Sequence, residues 1–327
     1  MKTPKRILLV KPSSMGDIIH ALPFVSAIHA HWPEAEIRWL IQPVWRSLVE
    51  EYPGISGTIL FPREKFRGPS GWFLCLGWLR TLRDWKPDLA IDLQGLLRSA
   101  LFSRISGAGE VLGLSDAREG ARLLIGRKAS VDRHDHAVHR NLAVLDLLGI
   151  PQPHHPEFLL PTGKLPEEFS TTTPFVVLHP YARGEGKSLT PAMVRAFIRG
   201  TGSVRVVVVG RGAALENLPA SVEDYTNRTD LDGLIAILRR ASFIVSTDSG
   251  PMHLAAALQP ARTLAIHLWS DPLKVGPYSP ESMVWKNGCV AKVGELNANW
   301  RPEGRLPTEA EMEELGRRAA AESIKSP

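Results

Sequence analysis

A short apolar, β-branched run that ends in a small polar turn and leads into an amphipathic helix recurs along this chain, and that recurrence leaves few folds open. Arg6 to Val10, Glu36 to Ile41, Thr58 to Phe61 and Leu89 to Leu93 read as strands. Helical stretches run from Ile18 towards His31, where Pro23 kinks or restarts the helix, near Trp45 to Glu51, and over Trp72 to Trp85. Repeated βα units of this length give parallel sheets covered by helices. Between Pro151 and Pro174 there are six prolines in 24 residues and few periodic apolar positions, which reads as a domain linker. Beyond it the alternation resumes. Strands at Phe175 to Leu178, Arg205 to Val209, Asp224 to Thr226, Phe243 to Ser246 and Thr263 to His267 interleave with helices from Pro191, behind a Thr190 cap, and over Leu231 to Ala241. The expected fold class is α/β, with two Rossmann-like, doubly wound parallel-sheet domains (1–155 and 170–305, linker 151–174) facing across a cleft. Thr308-Glu-Ala-Glu311 is a capping box opening a last helix, 308–324, expected to fold back across the N-terminal domain.

At 327 residues, 44% apolar and 22% charged, the chain has room for two cores and the composition of a soluble globular protein. Cys75 and Cys289 have no metal-ligand spacing and fit a reducing compartment better than a disulfide framework. The only apolar run near the start, Ile7 to Val10, is too short for a signal sequence, and no stretch reaches transmembrane length; the expected location is cytoplasmic. The net charge of +5 points to nucleic acid, an anionic membrane surface or a phosphorylated substrate. It is concentrated: residues 60 to 133 hold 13 Lys and Arg against 8 Asp and Glu, an excess equal to that of the whole chain. No aromatic stacking pattern or zinc-finger spacing accompanies it, which argues against nucleic acid; an ordinary solvated basic face is also compatible.

The stretch Ser242 to Leu258 reads as strand, tight turn and helix, with Pro251 suited to the first helical position. Thr247 to Gly250 then lie at a helix N-terminus, where free N–H groups and the macrodipole favour a phosphate, and Gly250 lets a ligand approach the backbone. Asp248 would repel a phosphate but suits an uncharged polyol such as a sugar. Helix capping by Asp248 or Ser249 is the competing reading. Asp17, in Lys11-Pro-Ser-Ser-Met-Gly-Asp17, has the same two readings, an N-terminal cap or a catalytic base at the edge of an open sheet. His136 and His139 lack the further ligands of a zinc site, and Asp230-Leu-Asp232 reads as a cap and first-turn acid.

Ser13-Ser-Met-Gly-Asp17 with Ile18, His20 and Leu22-Pro23, taken with Asp248-Ser-Gly-Pro-Met-His253, resembles the ADP-heptose:lipopolysaccharide heptosyltransferase family, on its heptosyltransferase I branch. Asp92-Leu-Gln-Gly-Leu-Leu-Arg-Ser-Ala100, Ala117-Arg-Glu119 and His136-Ala-Val138 with Arg140 look like further family segments in the same order. The resemblance implies a GT-B fold and inverting, metal-independent transfer of heptose from ADP-heptose to the Kdo-lipid A inner core, with no cofactor, at the inner face of the cytoplasmic membrane. It implies Asp17 as catalytic base. On the donor side it implies Lys187 at the diphosphate, Glu216 at the ribose, and Asp248, Ser249, Gly250 and His253 in the donor loop. On the acidic acceptor it implies Ser14, Gly16, Gln94, Arg98, Arg118 and Arg140. The family's Lys-x-Trp-Pro is here Lys187-Ser-Leu-Thr-Pro191, the loop from His179 is one residue longer, and Glu216 is aligned through Gly210 alone. Another nucleotide sugar, a protein acceptor, or a non-catalytic nucleotide- or polyanion-binding protein are the alternatives.

Overall fold

Strand β1 (Arg6–Val10) is buried from Ile7 onward, as a continuous apolar run must be when helices cover both faces of a parallel sheet. It pairs in parallel with β2 (Glu36–Ile41) on one side and β4 (Leu89–Asp92) on the other. β3 (Ile55–Leu60) lies beyond β2, while β5 (Glu110–Leu114) and β6 (Arg127–Ala129) follow β4, all parallel, in the order β3-β2-β1-β4-β5-β6. The structure, a computed structural model, describes residues 3–325 apart from 67, 185 and 214, and separates into two units, Met1–Pro161 and Thr162–Pro327.

The first unit's helices are α1 (Met15–Ile19), α2 (Leu22–His31), α3 (Gly68–Asp84), α4 (Leu97–Ile105), α5 (Ala137–Leu142) and α6 (Val144–Leu148). Pro23 sits in the first turn of α2, where its missing N–H costs nothing, so it restarts a helix and does not kink one. The turn near Trp45 is a short 3₁₀ helix, Pro43–Leu48. β5 and β6 escape a sequence reading because β5 carries a glycine at Gly113 and β6 is three residues long with two cations, Arg127 and Lys128.

The second unit repeats the winding. Its strands are β7 (Phe175–His179), β8 (Arg205–Val208), β9 (Val222–Asp224), β10 (Phe243–Thr247), β11 (Thr263–Ile266), β12 (Met283–Lys286) and β13 (Cys289–Lys292), ordered β9-β8-β7-β10-β11-β12-β13. Among the described residues only the β12–β13 pair is antiparallel. In both sheets the order reverses next to the first strand, between β1 and β4 and between β7 and β10, and ligands of open α/β sheets bind outside the carboxyl ends at such a reversal. The helices are α7 (Pro191–Thr201), α8 (Leu231–Arg240), α9 (Gly250–Leu258), α10 (Pro272–Val275) and α11 (Glu309–Ile324). Asp230 caps α8 by accepting from Gly233 N at 2.8 Å, which accounts for the Asp-x-Asp pattern.

Two expectations are corrected. The capping box at Thr308 and Glu311 is present, but α11 does not join the N-terminal domain; it packs along α7, burying Met312, Leu315 and Ala319 in the core of the C-terminal unit with Val194 and Phe197. Close approach decides this: a Cβ on Gly200 would lie 2.0 Å from Glu313 O, and one on Gly316 2.1 Å from Phe197 O. The Pro-rich stretch is also not a bare linker, since Leu160 and Phe169 are buried, and Phe169 packs on Phe175 and Tyr225 with ring centroids 5.2 and 5.3 Å away.

At an open helix position Gly→Ala stabilises by about 1 kcal/mol. Gly316→Ala should instead destabilise the C-terminal unit, by roughly 1–3 kcal/mol, because the methyl overpacks the α7–α11 contact. Urea unfolding of the variant reads the sign, and a stabilised Gly316→Ala would sink this account of the helix pair.

Candidate active site

In the C-terminal unit the reversal lies between the ends of β7 and β10, and each strand delivers one half of a site there. His179, the last residue of β7, is buried, and burial pushes its imidazole down to about 4, so it is neutral at pH 7. Its Nδ1 meets Ser246 Oγ at 3.2 Å and Ser249 Oγ at 3.3 Å, tying β7 to the turn after β10. Thr247 Oγ1 donates to Tyr181 O at 2.6 Å, adding a second tie. The Tyr181 ring lies against the loop after β8, its hydroxyl donating to Ala213 O at 2.9 Å and meeting Thr226 Oγ1 at 3.0 Å. Only glycine fits at Gly210: its φ is +124°, and a Cβ would lie 2.7 Å from His179 Nε2.

Ser249 is the N-cap residue of α9, yet no side chain caps this helix; Ser249 Oγ instead donates to Thr247 O at 3.0 Å. The capping alternative for Asp248 and Ser249 is therefore not what the chain does, and the positive end of α9 stays available to an anion. Pro251 occupies the second helical position. Asp248 N is bonded to Ile266 O, and its carboxylate accepts from Ser270 Oγ, which also meets His267 Nδ1 at 2.8 Å. His267 is wholly buried, held down to about 4 by burial against the raising charge of Asp248. Because Ser270 donates to Asp248, its oxygen accepts from His267 Nδ1–H, leaving His267 Nε2 a buried nitrogen with no hydrogen-bond partner among the described residues. Lys286, buried and pushed down by that burial, donates to Ser270 O at 2.7 Å. The result is an Asp248 carboxylate set in one orientation, lining a pocket with Lys187, Leu268 and Trp269.

In the N-terminal unit the reversal lies between β1 and β4. Lys11, only 7% exposed, donates to Leu93 O at 2.7 Å and lies 3.8 Å from Asp17 Oδ1. Asp17 Oδ2 accepts from Ser14 N at 3.0 Å and Ser14 Oγ at 2.8 Å, so the acid does hold the start of α1. Its side chain is nevertheless 44% exposed, and the Lys11 ammonium lies on its Oδ1 side. Asp92, at the end of β4, is buried and raised to about 6 by burial, and it shapes the following turn by accepting from Gln94 N, Gly95 N and Ser99 Oγ at 2.9–3.0 Å.

The expected acceptor residues share this edge. Gly16 is buried in α1 and Ser14 is exposed before it. Gln94 Oε1 is buried with no hydrogen-bond partner among the described residues. Arg98 is exposed on α4, its guanidinium 5.4 Å from the Phe61 ring. Arg118 N donates to Gly95 O at 2.8 Å, bringing the β5 loop to the β4 loop. Arg140 is engaged in an ion pair with Asp116. His136 caps α5, accepting from Val138 N at 3.2 Å, and among the described residues no group of three or more His, Cys, Asp or Glu is placed to hold a metal ion. Of the expected donor residues, His253 lies in the first turns of α9, while Glu216 is exposed in the loop after Gly210 and does not line the Lys187 pocket. Lys11, Trp269, Ser270, His267 and Lys286 are site residues that the sequence reading did not reach. A buried lysine or histidine has no periodic signature; the only cue was a polar residue at the end of an apolar strand, as at Lys11 and His267.

The profile of glycosyltransferase family 9 (heptosyltransferase) matches residues 76–299. A lipopolysaccharide heptosyltransferase 1 of Pseudomonas aeruginosa is 30% identical over 84% of this chain and 81% of its own length. The lipopolysaccharide core heptosyltransferase OpsX of Haemophilus influenzae is 22% identical over 94% of this chain and 90% of its own. Among solved structures, E. coli heptosyltransferase WaaC with ADP-2-deoxy-2-fluoro heptose superposes with a TM-score of 0.75, at 22% identity over 98% of this chain and 99% of that one.

The two buried histidines give the C-terminal unit a defined pH response. A group held at about 4 when folded, against an ordinary 6.5, adds stability that is complete above pH 6.5 and is lost as pH falls through 4. Asp92, raised to about 6, acts oppositely in the other unit, where its contribution declines as pH rises from 3.8 towards 6. Protection factors at α9, corrected for the pH dependence of intrinsic amide exchange, should therefore fall between pH 6.5 and 4.5, and the non-titrating His267→Asn should flatten that dependence; an unchanged slope would refute the buried neutral imidazole.

Proposed function

The chain belongs to glycosyltransferase family 9, the heptosyltransferases, and from that premise we propose that it transfers heptose from ADP-heptose to the Kdo-lipid A inner core of lipopolysaccharide, with inversion and without a catalytic metal. It is a glycosyltransferase with the two Rossmann-like units of the GT-B fold. The observation that carries the donor reading is the meeting of Lys187 and Asp248 in one pocket beside the uncapped N-terminus of α9. As the glycosidic bond breaks, negative charge builds on the leaving diphosphate, and a lysine ammonium with a helix N-terminus stabilises it there. A carboxylate beside that charge is tolerable only if it faces sugar hydroxyls, and the Ser270 hydrogen bond holds Asp248 ready to accept from them. Trp269, 41% exposed in the same pocket, offers an apolar face to a sugar ring. Ser249, Gly250 and His253 complete the donor loop, and Glu216 closes on the ribose from the loop after Gly210.

On the N-terminal unit Asp17 takes the proton of the attacking acceptor hydroxyl, with Lys11 beside its Oδ1. Ser14, Gly16 and Gln94 position the acceptor sugar, and Arg98 and Arg118 meet its carboxylates and phosphates. Arg140 joins them only by leaving Asp116.

Lys187→Ala should weaken ADP about 10-fold or more, as loss of a charge-assisted bond does, while leaving adenosine affinity unchanged. Calorimetric titration of both ligands checks this, and equal affinities for ADP in the two proteins would remove Lys187 from the diphosphate. Asp17→Asn retains an acceptor for Ser14 N, so the fold and ADP affinity should survive while single-turnover transfer, assayed with EDTA present, falls roughly 10²-fold or more. A folded Asp17→Asn protein with normal turnover would leave Asp17 as a helix cap alone.

A further inference from the structure

Ser249 stands at the N-cap of α9 and does not cap it. Serine is among the residues most favoured at that position, because its Oγ accepts from the N–H of the second or third helical residue. In α9 the second is Pro251, which has no N–H, so Met252 N is the donor that a Ser249 cap would use. Met252 N goes instead to Ser249 O at 3.1 Å. Ser249 Oγ meets His179 Nδ1 at 3.3 Å and donates to Thr247 O at 3.0 Å. A serine that leaves its cap unmade forgoes stability. What engages its hydroxyl here is a ring from another strand, 70 residues away.

The His179 ring has one way to lie. Gly210 covers its far edge, where a Cβ would be 2.7 Å from both Cδ2 and Nε2, so Nδ1, on the opposite side of the ring, faces the two serines. Ser246 and Ser249 each carry one hydroxyl proton, and both donate it to Thr247 O at 3.0 Å. Their oxygens therefore accept, and the proton they share is His179 Nδ1–H, 3.2 and 3.3 Å away. Burial keeps the imidazole neutral, so this is the ring's one N–H. Without that donor Ser249 Oγ is free to rotate to Met252 N, and a hydroxyl oxygen then occupies the helix end that would receive a phosphate oxygen. We propose that His179 is a positioning residue for the donor diphosphate: its Nδ1–H holds Ser249 Oγ off the N-terminus of α9, leaving that end of the helix open beside the pocket lined by Lys187 and Asp248. This rests on the donor reading proposed above and adds to it a buried residue that acts through Ser249 and not by contact with the nucleotide.

The test is calorimetric titration of ADP and of adenosine into the wild type, His179→Leu, Ser249→Ala and the variant carrying both substitutions. His179→Leu removes the donor at similar volume, and it should weaken ADP about 10-fold while changing adenosine by less than about 2-fold. In the Ser249→Ala background no hydroxyl is left to move, so adding His179→Leu should cost less than about 2-fold in ADP affinity relative to Ser249→Ala alone. His179→Asn, which keeps an N–H near the place of Nδ1, should bind ADP as the wild type does. Equal ADP losses with and without Ser249, equal losses of ADP and adenosine, or a His179→Asn protein as weak as His179→Leu would each overturn the role, since His179 would then support the unit in general. Circular dichroism shows whether each variant is folded, and where His179→Leu is not, His179→Met, a flexible chain that fills the same space, is titrated in its place. A wild type that binds ADP and is indifferent to the loss of His179 would overturn this role alone; a wild type that binds no ADP would overturn the donor reading with it.

Discussion

A buried ammonium organises the edge of the N-terminal unit that carries Asp17. Lys11 has almost no water, and a desolvated cation is tolerated only with partners that replace its hydration. Its partners come from both sides of the point where the strand order reverses: Leu93 O from the loop after β4, and Asp17 from the helix after β1. Its charge also acts on buried Asp92, whose acceptor oxygens shape the turn carrying Gln94 and Gly95. Losing the cation would leave Leu93 O, Asp92 and Asp17 without it at once, so the position of the acid is inseparable from the join between two strands.

The C-terminal unit meets the same topological problem with a neutral group. His179 ends β7 as Lys11 follows β1, and it ties the crossover to Ser246 and Ser249 through one ring nitrogen. The choice suits what each edge handles. A cation beside Asp17 balances a carboxylate, whereas at the β7–β10 edge the buried imidazoles stay neutral and Lys187 lines a pocket with Asp248. Asp248 is the carboxylate there, and it is oriented through Ser270, with His267 and buried Lys286 behind that serine. The pocket lined by Lys187 and Asp248 is thus specified as much by residues that never line it as by those that do.

Local residue order was enough for the α/β class, for most strands, and for the caps at Thr190, Asp230 and Thr308, because periodicity and capping are short-range effects. Asp17 and the Asp248 loop were also visible, each as a polar turn between a strand and a helix. Local order left their meaning open: Asp17 turned out to hold its helix and stay exposed, while Ser249 does not cap. What needed the tertiary structure was every contact between segments far apart in the chain. The partners of Lys11 are 6 and 82 residues away, His179 finds Ser249 across 70, and α11 chose α7 because two glycines, Gly200 and Gly316, permit backbone contact. Sequence determines which groups want to be buried or hydrogen-bonded; only the packed sheets decide with whom, because that depends on strand order, which no local pattern encodes.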